Sequence, residues 1–163
     1  MRERTSDESS EAKHGLPDAN AIIQYIVQNY SYSSKIIEVC AGSYLQIASG
    51  IKRSLPRTKV IVTDIGPDFI DFVKENAPNL IAIIDDIMSP DKRIYFDASL
   101  IYAIRPPVEL QPSIGRLAEE VDSDLLLRTL SDEHPSLVES RQRILVNTGK
   151  ALLHVYKRSR FHD

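Results

Sequence analysis

The sequence predicts a doubly wound α/β domain: a mostly parallel, twisted sheet covered by helices, with an antiparallel β-hairpin at its C-terminal end. Three observations predict it. The stretch Lys35 to Leu55 begins with Ile36, Ile37 and Val39, a short β-branched run suited to a strand buried on both faces. Ala41-Gly42-Ser43 breaks that run, and from Tyr44 the residues Tyr44, Ile47, Ala48, Ile51 and Leu55 fall at helical spacing. Strand, small-residue turn and helix form the opening unit of such a domain. Second, apolar runs recur at Lys59 to Thr63, Leu80 to Ile84, Ala98 to Ile104 and Asp124 to Leu130. Third, RQRILVN and ALLHVYKR flank Thr148-Gly149-Lys150, two strand-like runs around a glycine-containing turn.

In chain order, residues 1–14 are polar and charged and are expected to form a disordered tail, because they bury too little surface to offset the entropy of ordering. Residues 15–163 read as one domain. Pro17 and Asp18 start a first helix, with Asp18 placed to cap its free N–H groups; Ile22, Ile23, Ile26, Val27 and Tyr30 form its inner stripe. The second strand ends in Asp64, and Gly66-Pro67-Asp68 turns the chain into a short helix with Phe69, Ile70, Phe72 and Val73 inward. The third strand stops at Asp85-Asp86, and Met88 to Arg93 is a loop or one helical turn. The fourth strand ends at Arg105-Pro106-Pro107. Val108 to Val121 reads as helical, with Pro112 a break or restart. SDEHPSLVES, ahead of the hairpin, is at most a short helix.

Composition bounds the function classes. The chain has 163 residues, enough for one domain with a core of its own. Its 20 basic and 23 acidic residues give a net charge of −3, so there is no general electrostatic drive toward nucleic acid or an anionic membrane. No apolar run approaches the ~20 residues of a membrane span, and the N-terminus lacks the apolar core of a signal peptide. A cytoplasmic protein is expected. Cys40 is the only cysteine, so no intrachain disulfide can form. His14, His134, His154 and His162 are scattered without zinc-ligand spacing, and no metal is expected.

The chemistry-bearing residues gather at strand ends. Glu38 lies inside the first strand near its carboxyl end, Gly42 forms the first turn, and Asp64 ends the second strand. In a doubly wound sheet, a carboxylate ending the second strand faces the ribose of a nucleoside bound over the first turn. Asp85 or Asp86 would then lie beside the base. The plainer reading of Asp64 is a helix cap or surface carboxylate, and that of Asp85 and Asp86 a solvated turn. Glu38 within an apolar strand needs a partner, because an unpaired buried carboxylate is costly. Cys40 reads as a small buried hydrophobe, with no base nearby in sequence to activate it.

This pattern resembles the class I S-adenosylmethionine-dependent methyltransferases, whose fold is Rossmann-like. Their first motif is an acidic residue, any residue, Gly, any residue, Gly; Glu38 and Gly42 match it, while Cys40 occupies the first glycine position. Asp64 matches the acidic end of the second strand, Asp86 suits the third motif, and the terminal hairpin is similar to that family's final antiparallel pair. TDI (63–65), DDIMSP (85–90), IYAIRPPVEL (from residue 101 to 110) and LLLRTLSDE further resemble an uncharacterised family of short archaeal methyltransferase-like proteins. That family shows EVG-x-G in the first turn and IYSIRPP-x-EL after the fourth strand; this chain departs at Cys40 and Ala103. The resemblance implies S-adenosylmethionine as cofactor, with Glu38, Gly42, Asp64 and Asp86 as cofactor-binding residues.

Amino-methylating relatives carry Asp/Asn-Pro-Pro-aromatic where this chain has Arg105-Pro106-Pro107. Arginine has no acceptor, so amine orientation by that device is not supported. Arg105 suits an anion, either a substrate's or the cofactor's carboxylate; the alternative is an internal pair with Glu109 or Glu133. Two functions remain open on these residues: a methyltransferase with unidentified acceptor, and a non-catalytic nucleoside-binding or interaction module on the same fold. A nicotinamide dinucleotide enzyme ranks below both, since Cys40, Gly42 and Leu45 give one match of three to G-x-G-x-x-G.

Overall fold

The computed structural model describes residues 16–129, 141–149 and 152–158. The chain order is α1 (Ala19–Asn29), β1 (Lys35–Glu38), α2 (Gln46–Ser54), β2 (Lys59–Asp64), α3 (Phe69–Asn76), β3 (Ile81–Ile84), α4 (Lys92–Tyr95), β4 (Leu100–Ile104), a 3-10 turn (Val108–Leu110), α5 (Gln111–Glu120), β5 (Asp124–Arg128), β6 (Arg143–Asn147) and β7 (Leu152–Tyr156). Among the described residues, seven strands form one sheet in the order β3-β2-β1-β4-β5-β7-β6. Strands β1 to β5 pair in parallel, whereas β7 is antiparallel to both β5 and β6. The predicted parallel core with its antiparallel hairpin is thus the observed architecture. The expected tail at 1–14, the SDEHPSLVES segment and Lys150 of the hairpin turn lie outside the described residues.

The continuous apolar runs arise because the central strands bury both faces. Ile36, Val60, Val62, Leu100, Tyr102 and Leu126 enter one core with Ile22 and Ile26 of α1, Ile47 and Ile51 of α2 and Val73 of α3. Their neighbours Ile37, Ile61, Ile101, Leu125 and Leu127 enter a second core with Tyr95 of α4 and Ile114, Leu117 and Ala118 of α5. Alternation along each strand therefore feeds two layers. Gly50 lets α1 and α2 approach closely, since a Cβ there would lie 2.5 Å from Ile23 Cδ1.

Two local expectations change, and at Pro112 the restart is the reading that holds. Helix α2 begins at Gln46, not at Tyr44, and Tyr44 packs partly buried at the edge of the first core. Pro112 sits in the first turn of α5, where its missing N–H costs nothing, so it starts the helix after the 3-10 turn. Asp18 stands at the N-cap of α1, but its side chain makes no capping bond. It is fully buried and instead accepts from Arg128 Nε at 2.6 Å, a charge-assisted bond to β5 that outweighs a neutral amide.

Candidate functional site

The site is built on the β1–α2 turn. Past Glu38 the backbone stays laced to both neighbouring strands: Val39 N–H donates to the Tyr102 carbonyl at 2.9 Å and Ala41 N–H to the Thr63 carbonyl at 3.1 Å. The turn then passes through two left-handed residues, Cys40 at φ 55 and Gly42 at φ 58. Glycine adopts that region freely; a residue with a Cβ does so at a cost of roughly 1–2 kcal/mol. Asp64, at the end of β2, braces the turn. Its Oδ2 accepts from Gly42 N–H and its Oδ1 from Ile65 N–H, each at 2.8 Å. A carboxylate offers about four lone-pair sites, so half of its acceptor capacity is left for other donors.

A cleft of about 200 Å³ opens over this turn, lined by Cys40 to Tyr44, Leu16, Ile104 and Arg105. Glu38, at the end of β1 ahead of the turn, is 2% exposed, with Oε1 lacking a hydrogen-bond partner. Burial pushes its carboxyl up to about 8, partly offset by the Tyr102 hydroxyl, which faces it from β4. The contact falls short of a formed hydrogen bond, since neither Tyr102 Oη nor Glu38 Oε1 is satisfied. Near neutral pH Glu38 is therefore mainly a neutral acid. The Cys40 thiol is pushed up to about 11, first by burial and then by the negative charges of Asp64, Glu38 and Asp86. It stays a thiol, which agrees with the reading of Cys40 as an unreactive small side chain.

The predicted site residues separate into those that reach this cleft and those that brace the scaffold. Gly42 and Arg105 line the cleft and Asp64 touches the turn directly, whereas Glu38 is buried on β1 ahead of the turn and is not among the lining residues. Asp86 is exposed at the end of β3 and uses Oδ1 to accept from Met88 N–H at 2.9 Å. Asp85 turns inward: Tyr95 Oη donates to it at 2.6 Å and Asp91 N–H at 3.0 Å, so it is a structural acceptor. Arg105 does not pair with Glu109, which is exposed; Glu133 lies outside the described residues. Sequence reasoning missed Leu16 and the Asp18–Arg128 pair, since nothing local signals a contact between positions 110 residues apart. Among the described residues, no cluster of His, Cys, Asp and Glu could hold a metal ion, and no helix is long and apolar enough to cross a membrane.

Sequence comparison matches residues 19–158 to the uncharacterised protein family UPF0146. The chain belongs to that family. A UPF0146 protein of Methanothermobacter thermautotrophicus is 32% identical over 137 residues, covering 84% of this chain and 93% of that protein. One from Archaeoglobus fulgidus is 30% identical over 141 residues, covering 86% and 95%. Solved structures extend the likeness to the class I S-adenosylmethionine-dependent methyltransferases. A TehB-like methyltransferase from Corynebacterium glutamicum superposes with a TM-score of 0.65 at 14% identity, over 93% of this chain and 97% of its own. An O-methyltransferase family protein from Burkholderia thailandensis gives 0.69 at 12% identity, and human N-acetylserotonin methyltransferase in complex with SAM gives 0.64 at 13%. The chain covers 91% and 87% of itself in these two matches but spans only 57% and 52% of those proteins. At these identities the likeness establishes the Rossmann-like methyltransferase fold of this UPF0146 protein.

Proposed function

We propose that the cleft over Cys40 to Tyr44 binds S-adenosylmethionine and that the chain is a methyltransferase of the class I type. The observation that carries this reading is Asp64. Its carboxylate is fixed by two backbone N–H groups beside the glycine turn and keeps lone pairs for two ribose hydroxyls. Gly42 brings bare backbone to the ligand, and Asp86, on the same sheet edge, suits the base. Glu38 offers its unsatisfied Oε1 to the cofactor or to a water beside it. The cofactor, when bound, supplies an electrophilic methyl group. The protein's share is to hold the two reactants in line, which explains why a chain with a thiol and a buried acid at this turn needs no activated base of its own. Cys40 favours a second reading, a nucleoside-binding module without transfer activity, because its side chain lies in the cleft where relatives of this fold present bare backbone.

Calorimetric titration with S-adenosylmethionine, S-adenosylhomocysteine and NAD tests the cofactor. Binding of the first two and not the third is expected. Asp64→Ala is expected to weaken that binding by about 1.5–3 kcal/mol, the range for hydrogen bonds to a charged group, with the melting temperature nearly kept. Equal affinity in both proteins would remove Asp64 from the site.

A further inference from the structure

Two arginines stand near the carboxyl edge of the sheet beside the cleft, and they are used differently. Arg128 is committed: Nε donates to the buried Asp18 carboxylate at 2.6 Å, and another of its N–H groups donates to the Thr129 carbonyl. Arg105 is exposed, and its guanidinium makes no hydrogen bond or ion pair among the described residues. Its main chain, by contrast, is firmly held. Arg105 N–H donates to the Arg128 carbonyl at 2.6 Å, and the buried Pro106 follows it. The backbone is left-handed at φ 49. Glycine would fit that conformation with less strain, and among the described residues no hydrogen bond or ion pair of the guanidinium offsets it. What the residue does provide is a planar cation with five donors in the wall of the cleft that the glycine turn also lines.

Two large apolar side chains are exposed nearby, each close in sequence to an exposed carboxylate, Glu109 or Asp86. Val108, three positions on, is 60% exposed, and Met88 on the β3–α4 loop is 61% exposed. A contact of 3.2 Å from Ser113 Oγ to Met88 Sδ ties that loop to the first turn of α5, which follows Val108.

We propose that Arg105 docks the anionic group of a second ligand, an organic acid whose carboxylate or phosphate meets the guanidinium and whose apolar body extends over Val108 and Met88. Under the cofactor reading given above, on which this assignment rests, that ligand is the methyl acceptor. The Asp18–Arg128 pair acts as a positioning device. It neutralises the neighbouring cation and fixes the carbonyl that holds Arg105 N–H. Arginine's fork binds such an anion through two parallel hydrogen bonds, which lysine cannot reproduce.

The test uses wild type, Arg105→Lys and Arg105→Ala, with benzoate and phenyl phosphate as the acids and benzamide as the neutral control. Amide NMR shifts of residues 41 to 44 and 105 report binding. Both acids, or one of them, are expected to shift these signals in wild type. Affinity should fall several-fold in Arg105→Lys and at least tenfold in Arg105→Ala, while benzamide gives no Arg105-dependent shift. Which acid binds more tightly distinguishes a carboxylate from a phosphate ligand. Parallel calorimetry compares S-adenosylhomocysteine with methylthioadenosine, which lacks the amino-acid carboxylate; affinities within twofold across the three proteins are expected. A tenfold loss for S-adenosylhomocysteine alone in Arg105→Ala would overturn the proposal, because Arg105 would then hold the cofactor's own carboxylate. Equal response to the acids in wild type and Arg105→Ala, or none in either, would overturn it as well. Failure of both adenosine compounds to bind wild type would instead sink the cofactor reading, and the acid titrations would still report on Arg105 by themselves.

Discussion

Cys40 holds φ 55, a conformation in which a Cβ costs roughly 1–2 kcal/mol. Replacing it by glycine removes that strain and adds roughly 0.5–1 kcal/mol of unfolded-state entropy. Cys40→Gly is therefore expected to leave stability unchanged or raise it by up to about 1 kcal/mol, read from the urea midpoint at constant slope. Binding of S-adenosylhomocysteine should hold or tighten; a marked loss with stability intact would mean that the sulfur touches the ligand. The sequence showed that a glycine position was filled, but a missing glycine does not by itself reveal that the backbone keeps the glycine conformation. Glu38 carries a second forecast. Its carboxyl is raised to about 8 in the folded protein, mainly by burial, against 4.5 in its ordinary state. The folded chain thus holds a proton that the unfolded chain releases, so this contribution to stability is complete below about pH 4.5 and is lost as pH rises through about 8. Glu38→Gln should flatten the decline in melting temperature between pH 5 and 8.5. An unchanged slope would show that the carboxyl ionises in the fold without penalty.

Helix α1 is attached to the sheet by more than its apolar stripe. The Asp18–Arg128 pair joins its N-cap residue to the end of β5, with Asp18 fully buried and the Arg128 side chain 14% exposed. Removing one member strands a charge, so Asp18→Ala is expected to cost about 3–5 kcal/mol, measured by denaturant unfolding. Asp18→Leu combined with Arg128→Met should recover most of that loss, because no charge is then left behind; a double variant as unstable as the single one would argue against this account. The helix itself was legible from Ile22 and Ile26, and Asp18 was correctly placed at its start. Its actual partner was not, because a carboxylate before a helix has a local capping solution, and sequence offers no sign that a distant arginine outcompetes it. The start of α2 was misjudged for a related reason. Tyr44 has the right spacing for the apolar face, yet it belongs to the turn that precedes the helix.

The sheet as a whole was legible because its central strands are buried on both faces and read as unbroken apolar runs. Two strand-like runs around the glycine-containing turn Thr148-Gly149-Lys150 marked the hairpin. The candidate site was partly legible: Asp64, Gly42 and Arg105 sit at or just past strand ends, and strand ends in a parallel sheet share one edge. Which of Asp85 and Asp86 faces outward could not be read, since the two are adjacent and of the same type; only Tyr95 Oη and Asp91 N–H claim the first. That the Arg105 guanidinium makes no ion pair among the described residues was equally hidden, because Glu109 in the same motif offers an acceptor at a spacing that sequence alone leaves open.

The place of β7 between β5 and β6 sets an order of assembly. A chain made from its N-terminus releases β6 before the strand on which β6 depends, since among the described strands β6 pairs only with β7. Until β7 arrives, β5 keeps an open edge along Leu125 to Leu127, residues that are fully buried in the finished sheet. The newest strand is the wedge that admits the older one. A chain cut after residue 150 should therefore lose two strands, not one, and its bare β5 edge should recruit other chains. Sedimentation is expected to find that fragment associated at concentrations where the full chain is monodisperse. A compact, monodisperse fragment would show that β6 can take the place beside β5 directly.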